Sequence, residues 1–370
     1  MSVFLLLSLT GPLAGDGPDG VPAEYRRGVA QALVAAGENR GQLVAALEAA
    51  RPEHREAAAF LVAHMPERDL TSLTSDYLIE NVELACQARA EMPWGKDVPD
   101  ELFLNDVLPY ASINERRDRW RRGFYRRFAP LVGECETPGE AARTLNRTIF
   151  ETLGVQYHAT KRPKPDQSPF ESMAAGYASC SGLSVLLIDA CRAVCVPARF
   201  VGTPRWVTQR ENHSWVEVWD GRCWRFLGAA EPGPLDRTWF VARAREADLA
   251  RPEHRIYAAS FRRTATRFPL VWDLEIRYVP AVDVTPFYAA RRTVRFLVLD
   301  KPRGRPVPAT LTLRLGGRIV AQAGVHDPVE LIVAGGQGYE ATIQPRGGPT
   351  VRRQVSVPDE QGQTIILTLE

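Results

Sequence analysis

Hydrophobic and polar positions divide the chain into three regions. From about Ala23 to Ala90, Ala, Leu and Val recur among Glu and Arg at helical spacing through Tyr25–Ala35, Gln42–Ala50, Glu53–His64 and Thr74–Ala90, with breaks at Gly37, Gly41, Pro52 and Pro66. This pattern predicts a helical region over residues 21–110. Mixed helix and strand signals then run to about Val284. Beyond "DVTPFYAA" the period changes to two. Thr293–Asp300 alternates apolar and polar side chains, and Leu311, Leu313 and Leu315 share a face ahead of a Gly316-Gly317 hairpin turn. "VELIVAGG", "YEATIQ", "RRQVSV" and "TIILTLE" continue the series, which predicts a small β-sandwich over residues 288–370. No catalytic cluster falls in it, so it reads as an accessory module. "RPEHR" occurs at Arg51 and again at Arg251, which is too short to mark a structural repeat.

The middle region carries the candidate chemistry. Leu183, Leu186, Leu187, Ala190 and Val194 follow helical spacing, so Gly182–Val194 reads as a buried helix with Cys180 at or just before its N-terminus. Unpaired N–H groups and the positive end of the helix dipole favour thiolate over thiol there, and suit a developing oxyanion. Position alone leaves Cys180 as either a nucleophile or a small packed hydrophobe. Downstream, "ENHSWVEVWDGRCWRF" (Glu211–Phe226) reads as two strands joined by a two-residue turn at Asp220-Gly221. His213, Trp215, Glu217 and Trp219 then share one face, and Ser214, Val216 and Val218 the other. A lone strand histidine is commonly structural. One opening a strand downstream of a helix-start cysteine suits a Cys–His couple, in which imidazole takes the thiol proton and later protonates the leaving amine.

Composition narrows the remaining classes. A chain of 370 residues is long for one core, so two or three domains are expected, and 45% hydrophobic with 24% charged residues is ordinary for a soluble globular protein. A net charge of +2 gives no reason to expect a nucleic-acid partner. The one basic cluster, "NERRDRWRRGFYRRF" (Asn114–Phe128), repeats Trp120, Phe124 and Phe128 at four-residue steps, which predicts an amphipathic helix with its arginines on the solvated faces. The cysteines Cys86, Cys135, Cys180, Cys191, Cys195 and Cys223 form no C-x-x-C pair and no zinc-spaced cluster, so no metal is expected. With no P-loop, GxGxxG, HExxH or EF-hand pattern, no cofactor is expected either. Residues 1–20 hold an apolar stretch, Val3–Leu9, then Gly11-Pro12 and Ala14-Gly15, a candidate signal peptide without a basic n-region. Export and a cytoplasmic location both stay open. No segment supplies the ~20 apolar residues that span a bilayer, so no integral membrane segment is expected.

The blocks in order, Cys180 with "SGLSVLLIDACRAVCVPARFVGTP" and then "NHSWVEVWDGRCW", resemble the core motif of the transglutaminase-like superfamily. "VPARFVG" (Val196–Gly202) matches the family's Pro-Ala-Arg turn and strand, with Cys195 where Gly is usual, and His213–Glu217 matches the H-x-W-x-E strand. The resemblance runs from about Asn146 to Phe240. It implies Cys180 as nucleophile and His213 as base. The family's acidic third residue falls at Gly228, which the two-residue turn would set opposite His213, so Glu231 of Glu231-Pro232 is the candidate replacement, with Asp236, Asp220 or no third group as alternatives. Tyr177, Ser181, Trp206 and Trp215 are candidate oxyanion or cleft residues. Arg199 reads as half of a structural ion pair, and the Pro-rich loop Lys161–Glu171 as either a cleft border or a plain connector.

These readings combine into an α+β protein: a papain-like transglutaminase core over residues 111–287, with an N-terminal α-helical region and a C-terminal β-sandwich. The resemblance implies acyl transfer on amide or peptide bonds through a Cys180 thioester, with a protein or peptide substrate and water or an amine as acceptor. The competing reading is a non-catalytic peptide- or glycan-binding module built on a degenerate core.

Overall fold

The computed structural model describes residues 19–370, so the candidate leader lies, but for its last two residues, outside the described residues. The chain divides into two compact units, the second beginning at Glu80. In the first, the helices Arg26–Ala35, Arg40–Ala49 and Arg55–His64 pack on one another and bury Val29, Leu33, Leu43, Leu47, Phe60 and Leu61. Both copies of "RPEHR" open a single 3₁₀ turn, Pro52–His54 and Pro252–His254, because proline presets the first φ of such a turn.

The second unit is α+β. A six-stranded antiparallel sheet runs Trp224–Leu227, His213–Trp219, Ala198–Thr203, Tyr257–Ala259, Pro280–Asp283, Thr266–Arg267. The helix Cys180–Ala193 packs on its two central neighbours, His213–Trp219 and Ala198–Thr203, and is itself backed by the helices Arg121–Val132 and Pro138–Leu153. Local sequence explains the last of these. Thr137 caps its N-terminus by accepting from the Glu140 N–H, Pro138 takes the first turn, and Gly154 ends it at φ 67°. Ala141, Leu145, Ile149 and Leu153 form its buried stripe.

Two local expectations change. The basic cluster is helical only from Arg121. Trp120, Phe124 and Phe128 are buried as the four-residue step predicts, but so is Arg121. Its guanidinium donates to Asn81 Oδ1 at 2.9 Å and to the carbonyls of Arg192 at 3.0 Å and Val107 at 2.9 Å, satisfying carbonyls at the C-terminal ends of the helix Cys180–Ala193 and the π-turn Phe103–Val107. The second change is at Asp220-Gly221. Trp219 pairs with Trp224, so the connection has four residues, Asp220–Cys223. The Asp220 side chain accepts from the N–H groups of Arg222 and Cys223, both at 2.8 Å, and this side-chain turn replaces the tighter hairpin.

The C-terminal β-sandwich forms as the alternation predicts. One sheet orders Arg318–Val325, Ala309–Leu315, Gln337–Pro345 and Val351–Val357, and the other orders Val329–Ala334, Arg291–Leu299 and Thr364–Thr368. Phe296, Leu311, Leu313, Tyr339 and Ile343 fill the space between them. Leu315 pairs with Arg318 across Gly316-Gly317, whose φ values of 58° and 78° only glycine adopts without strain. The Asp220–Cys223 turn docks on this sandwich, where Gln322 N–H donates to the Arg222 carbonyl at 2.8 Å. Among the described residues no helix is long and apolar enough to cross a membrane.

Arg121→Ala should destabilise the protein by at least about 3 kcal/mol, because it strands several buried acceptors at once. Arg122→Ala, which removes a half-exposed pair with Glu80, should cost under ~1 kcal/mol. Urea unfolding midpoints compare the two, and a loss below ~1 kcal/mol for Arg121→Ala contradicts this account.

Candidate active site

Cys180 opens the helix Cys180–Ala193. Extended Ser179 precedes it and makes no side-chain cap, so the first N–H groups of the helix keep no side-chain acceptor from that residue. Cys135, Cys180, Cys191, Cys195 and Cys223 are free thiols; Cys191, Cys195 and Cys223 are buried, and Cys180 is half-buried. Burial pushes the Cys195 and Cys223 thiols up to about 12 and the Cys191 thiol higher still. These three are packing groups, as the far-end position of Cys191 and Cys195 suggested.

The side chain that meets Cys180 from the sheet is Ser214, whose Oγ donates to Cys180 Sγ at 3.4 Å and lies 3.0 Å from Ser181 Oγ. Ser181 is therefore tied down inside the helix–sheet contact and does not cap. Strand alternation then sends His213 to the other face. Its ring lies 5.8 Å from Trp215, 5.9 Å from Trp206, 5.0 Å from Phe240 and 4.9 Å from Trp239, centroid to centroid. Trp206 stacks on Trp215 at 6.0 Å with planes 5° apart, which makes the wall under the imidazole flat and rigid. His213 Nε2 is buried and has no hydrogen-bond partner. Burial first, and then the nearby Arg243 charge, pull the His213 pKa from 6.5 down to about 4, so the ring is neutral at neutral pH.

Trp215 is anchored from below. Its Nε1 donates to Tyr288 Oη at 2.8 Å, Tyr288 donates to Glu217 Oε1 at 2.6 Å, and Arg199 grips Glu217 Oε2 through Nε and Nη2 at 2.7 and 2.6 Å. The structural ion pair expected for Arg199 is this one.

Glu231 does not hydrogen-bond His213. The four-residue turn shifts the strand register by two, so continuing the observed pairing sets Trp215 opposite Gly228 and Ala230 opposite His213. The Glu231 carboxylate folds back over Gly228, where a Cβ would come within 2.2 Å of Oε2. It accepts there from Trp239 Nε1 at 2.8 Å, so the Trp239 indole links it to His213 by ring contact. Burial raises the Glu231 pKa, and the Trp239 hydrogen bond partly opposes this. Asn146 holds the turn itself, donating to the carbonyls of Gly228 at 2.9 Å and Glu231 at 3.1 Å and accepting from Ala230 N–H at 2.9 Å. Asp236 and Asp220, the alternative acids, are both paired with Arg225.

Tyr177 lies in the short strand before Cys180, between His158 at 5.7 Å and Lys161, whose Nζ stands 5.6 Å from its ring. Lys161 thus brings the start of the Lys161–Glu171 loop against Tyr177, and the loop's end is fixed by a capping box between Ser168 and Glu171. Tyr157, in the strand paired with Tyr177–Ala178, is exposed; burial and the proximity of Cys180 raise its pKa. Ser214 was readable in the sequence from the alternation of its strand. Trp239, Asn146 and Tyr157 carried no such signal, since loop closure alone brings them in. Among the described residues no group of three or more His, Cys, Asp or Glu side chains is placed to hold a metal ion.

Residues 126–229 match the family model of the transglutaminase-like superfamily. No curated protein matches the chain. Among solved structures, a chain from Cytophaga hutchinsonii named "Putative Cysteine Protease" is similar at 19% identity over 31% of this chain and 39% of that chain, with a TM-score of 0.26. The present chain thus spans well under half of that protein's length.

The buried neutral imidazole has a stability signature. Because the folded state holds the lower pKa, its contribution is complete above about pH 6.5 and is lost as pH falls toward 4, by up to about 3 kcal/mol. His213→Gln should flatten that part of the stability–pH curve relative to wild type, measured as urea midpoints at pH 7 and pH 4.5. Parallel curves for the two proteins would remove the assignment.

Proposed function

With a transglutaminase-like core over residues 126–229 as its centre, we propose that this protein is a cysteine enzyme of acyl transfer, acting on amide or peptide bonds through a thioester on Cys180. The observation that carries the reading is Cys180 itself, a half-buried free thiol at the start of a 14-residue helix, in the motif that matches the family.

In this reading His213 accepts the Cys180 proton, and the sulfur attacks the substrate carbonyl carbon. The first N–H groups of the helix stabilise the resulting oxyanion, where partial positive charge is already oriented. The C–N bond then breaks, the imidazolium returns its proton to the departing amine, and the acyl group stays on sulfur. Water attacks the thioester to release the acid and restore the thiol. An amine in the place of water gives transamidation. Hydrolysis needs no second-substrate site and is the outcome we assign. A pKa near 4 leaves the ring neutral at neutral pH but a weak proton acceptor, so in this reading the charge of the forming Cys180 thiolate has to raise it during the reaction. His213 makes no hydrogen bond to Cys180 in the unliganded protein, and catalytic hydrogen bonds commonly tighten only with substrate. Glu231 is assigned a positioning role: it holds Trp239 against the His213 ring. Tyr177, Trp206 and Trp215 shape the cleft, and Ser181 with Ser214 holds the thiol side of it.

The reactivity of the thiol tests this. Iodoacetamide at neutral pH should modify Cys180 at least tenfold faster than Cys135, and His213→Ala should abolish the difference. Amine release from a peptide library should fall by at least about 10³-fold in Cys180→Ala and about 10²–10⁴-fold in His213→Ala. If Cys180 reacts like an ordinary thiol and His213→Ala changes nothing, the protein is instead a non-catalytic binding module.

A further inference from the structure

A cavity of about 220 Å³ lies in the second unit between the six-stranded sheet and the sandwich, and neither Cys180, His213 nor Glu231 lines it. Its floor is a π-turn, Phe103–Val107, a one-residue insertion of the kind often found at functional positions. Asn105 on that turn accepts from Ser260 Oγ at 3.0 Å and from the Arg262 N–H at 2.9 Å, and donates to Asp106 Oδ1 at 3.0 Å. One side chain thus fixes the loop that carries Arg262. The sandwich closes the cavity with its Gly316-Gly317 hairpin, clamped where Glu101 accepts from Arg314 Nη1 at 2.6 Å and from Ile319 N–H at 3.3 Å.

The cavity is rich in cations. Arg199, Arg262 and Arg318 line it, with Arg314 at its rim, against the carboxylates of Asp106 and Glu101 and, behind Arg199, Glu217. Glu217 balances Arg199 and Arg314 balances Glu101. Among the described residues the Arg318 guanidinium makes a single hydrogen bond, from Nη2 to Ser260 Oγ at 3.3 Å, although it carries five N–H donors. Its charge is disfavoured by burial and by its neighbours Arg199 and Arg262, and is offset only by Asp106 and Glu101. Arg199 directs Nε and Nη2 to Glu217. Burial pushes Asp106 up to about 6 despite Arg199, Arg192 and Arg318, and Asp106 and Glu101 are the two carboxylates that face an incoming anion. The volume leaves room for a small anion with its waters.

We propose that this cavity binds a small oxyanion, a phosphate or a short-chain carboxylate, with Arg318 and Arg199 donating to its oxygens. Guanidinium groups suit such a ligand because their planar forks match pairs of phosphate or carboxylate oxygens. The site is distinct from that of the acyl-transfer reading and does not depend on it.

Thermal unfolding of the 370-residue chain, titrated at constant ionic strength with sodium phosphate in one arm and sodium succinate in the other, tests the site. The expected result is a saturable rise in Tm of a few degrees in at least one arm, with one anion bound per chain by calorimetry. Saturation in the phosphate arm alone, the succinate arm alone or both supports the proposal and names the anion class. Arg318→Gln should remove the response, and Arg352→Gln, at an exposed position on the sandwich, should keep it. If Arg318→Gln does not fold, Arg318→Lys, which keeps the charge and loses the guanidinium fork, takes its place, with at least a tenfold weaker apparent affinity expected. No saturation in either arm of the wild type, or an unchanged response in the folded arginine variant, overturns the proposal.

Discussion

The buried pair of Arg199 and Glu217 organises the second unit. Two charges taken out of water are costly unless every remaining donor and acceptor is engaged, and truncating either partner would leave an uncompensated charge in the interior. Here Glu217 is filled by Arg199 on one oxygen and Tyr288 on the other, and Tyr288 passes the constraint to Trp215. Arg199 also lies 3.8 Å from the centroid of the Trp224 ring, which ties the neighbouring strand to the same point. One side of this pair supports the aromatic wall under His213. The other side forms part of the arginine-lined cavity.

The two faces of a single strand divide the work at the candidate site. On the Ser214 face the strand packs against the Cys180 helix, and small hydroxyls allow the close approach that brings Ser214 to the thiol. On the His213 face it builds a dense aromatic cluster, in which each ring removes water from the next and keeps the imidazole neutral. A thiol at the helix start and an imidazole on the facing strand are thus held in different environments, one polar and one apolar. In the acyl-transfer reading, substrate has to bring these environments together at the mouth where the strand begins.

Several features were legible because they depend on local periodicity. The Cys180 helix, the buried Trp120–Phe124–Phe128 stripe, the sandwich strands and the Gly316-Gly317 hairpin all follow from spacing or from a backbone angle that only one residue type adopts readily. The Asp220-Gly221 turn misled because two local preferences compete there. The dipeptide favours a tight hairpin, but the Asp220 carboxylate gains two backbone N–H bonds by opening the turn to four residues, and the docked sandwich holds that shape. Arg121 misled for a different reason. Charge predicts solvent, yet a planar guanidinium with five donors can serve several buried carbonyls at once.

By itself the sequence determined which cysteine stands at a helix start, which face of the His213 strand each side chain takes, and the order of helical region, core and sandwich. Those are short-range consequences of a 3.6- or two-residue period, and packing has no reason to reverse them. Tertiary structure decided what each of those side chains meets. A two-residue shift in strand register moved Gly228 away from His213, turned Glu231 onto Trp239, and brought in Asn146 to hold the turn. It also gathered Arg199, Arg262 and Arg318, which are far apart in the chain, around one cavity. Such placements depend on how loops close between distant elements, and no residue's own preference encodes that distance.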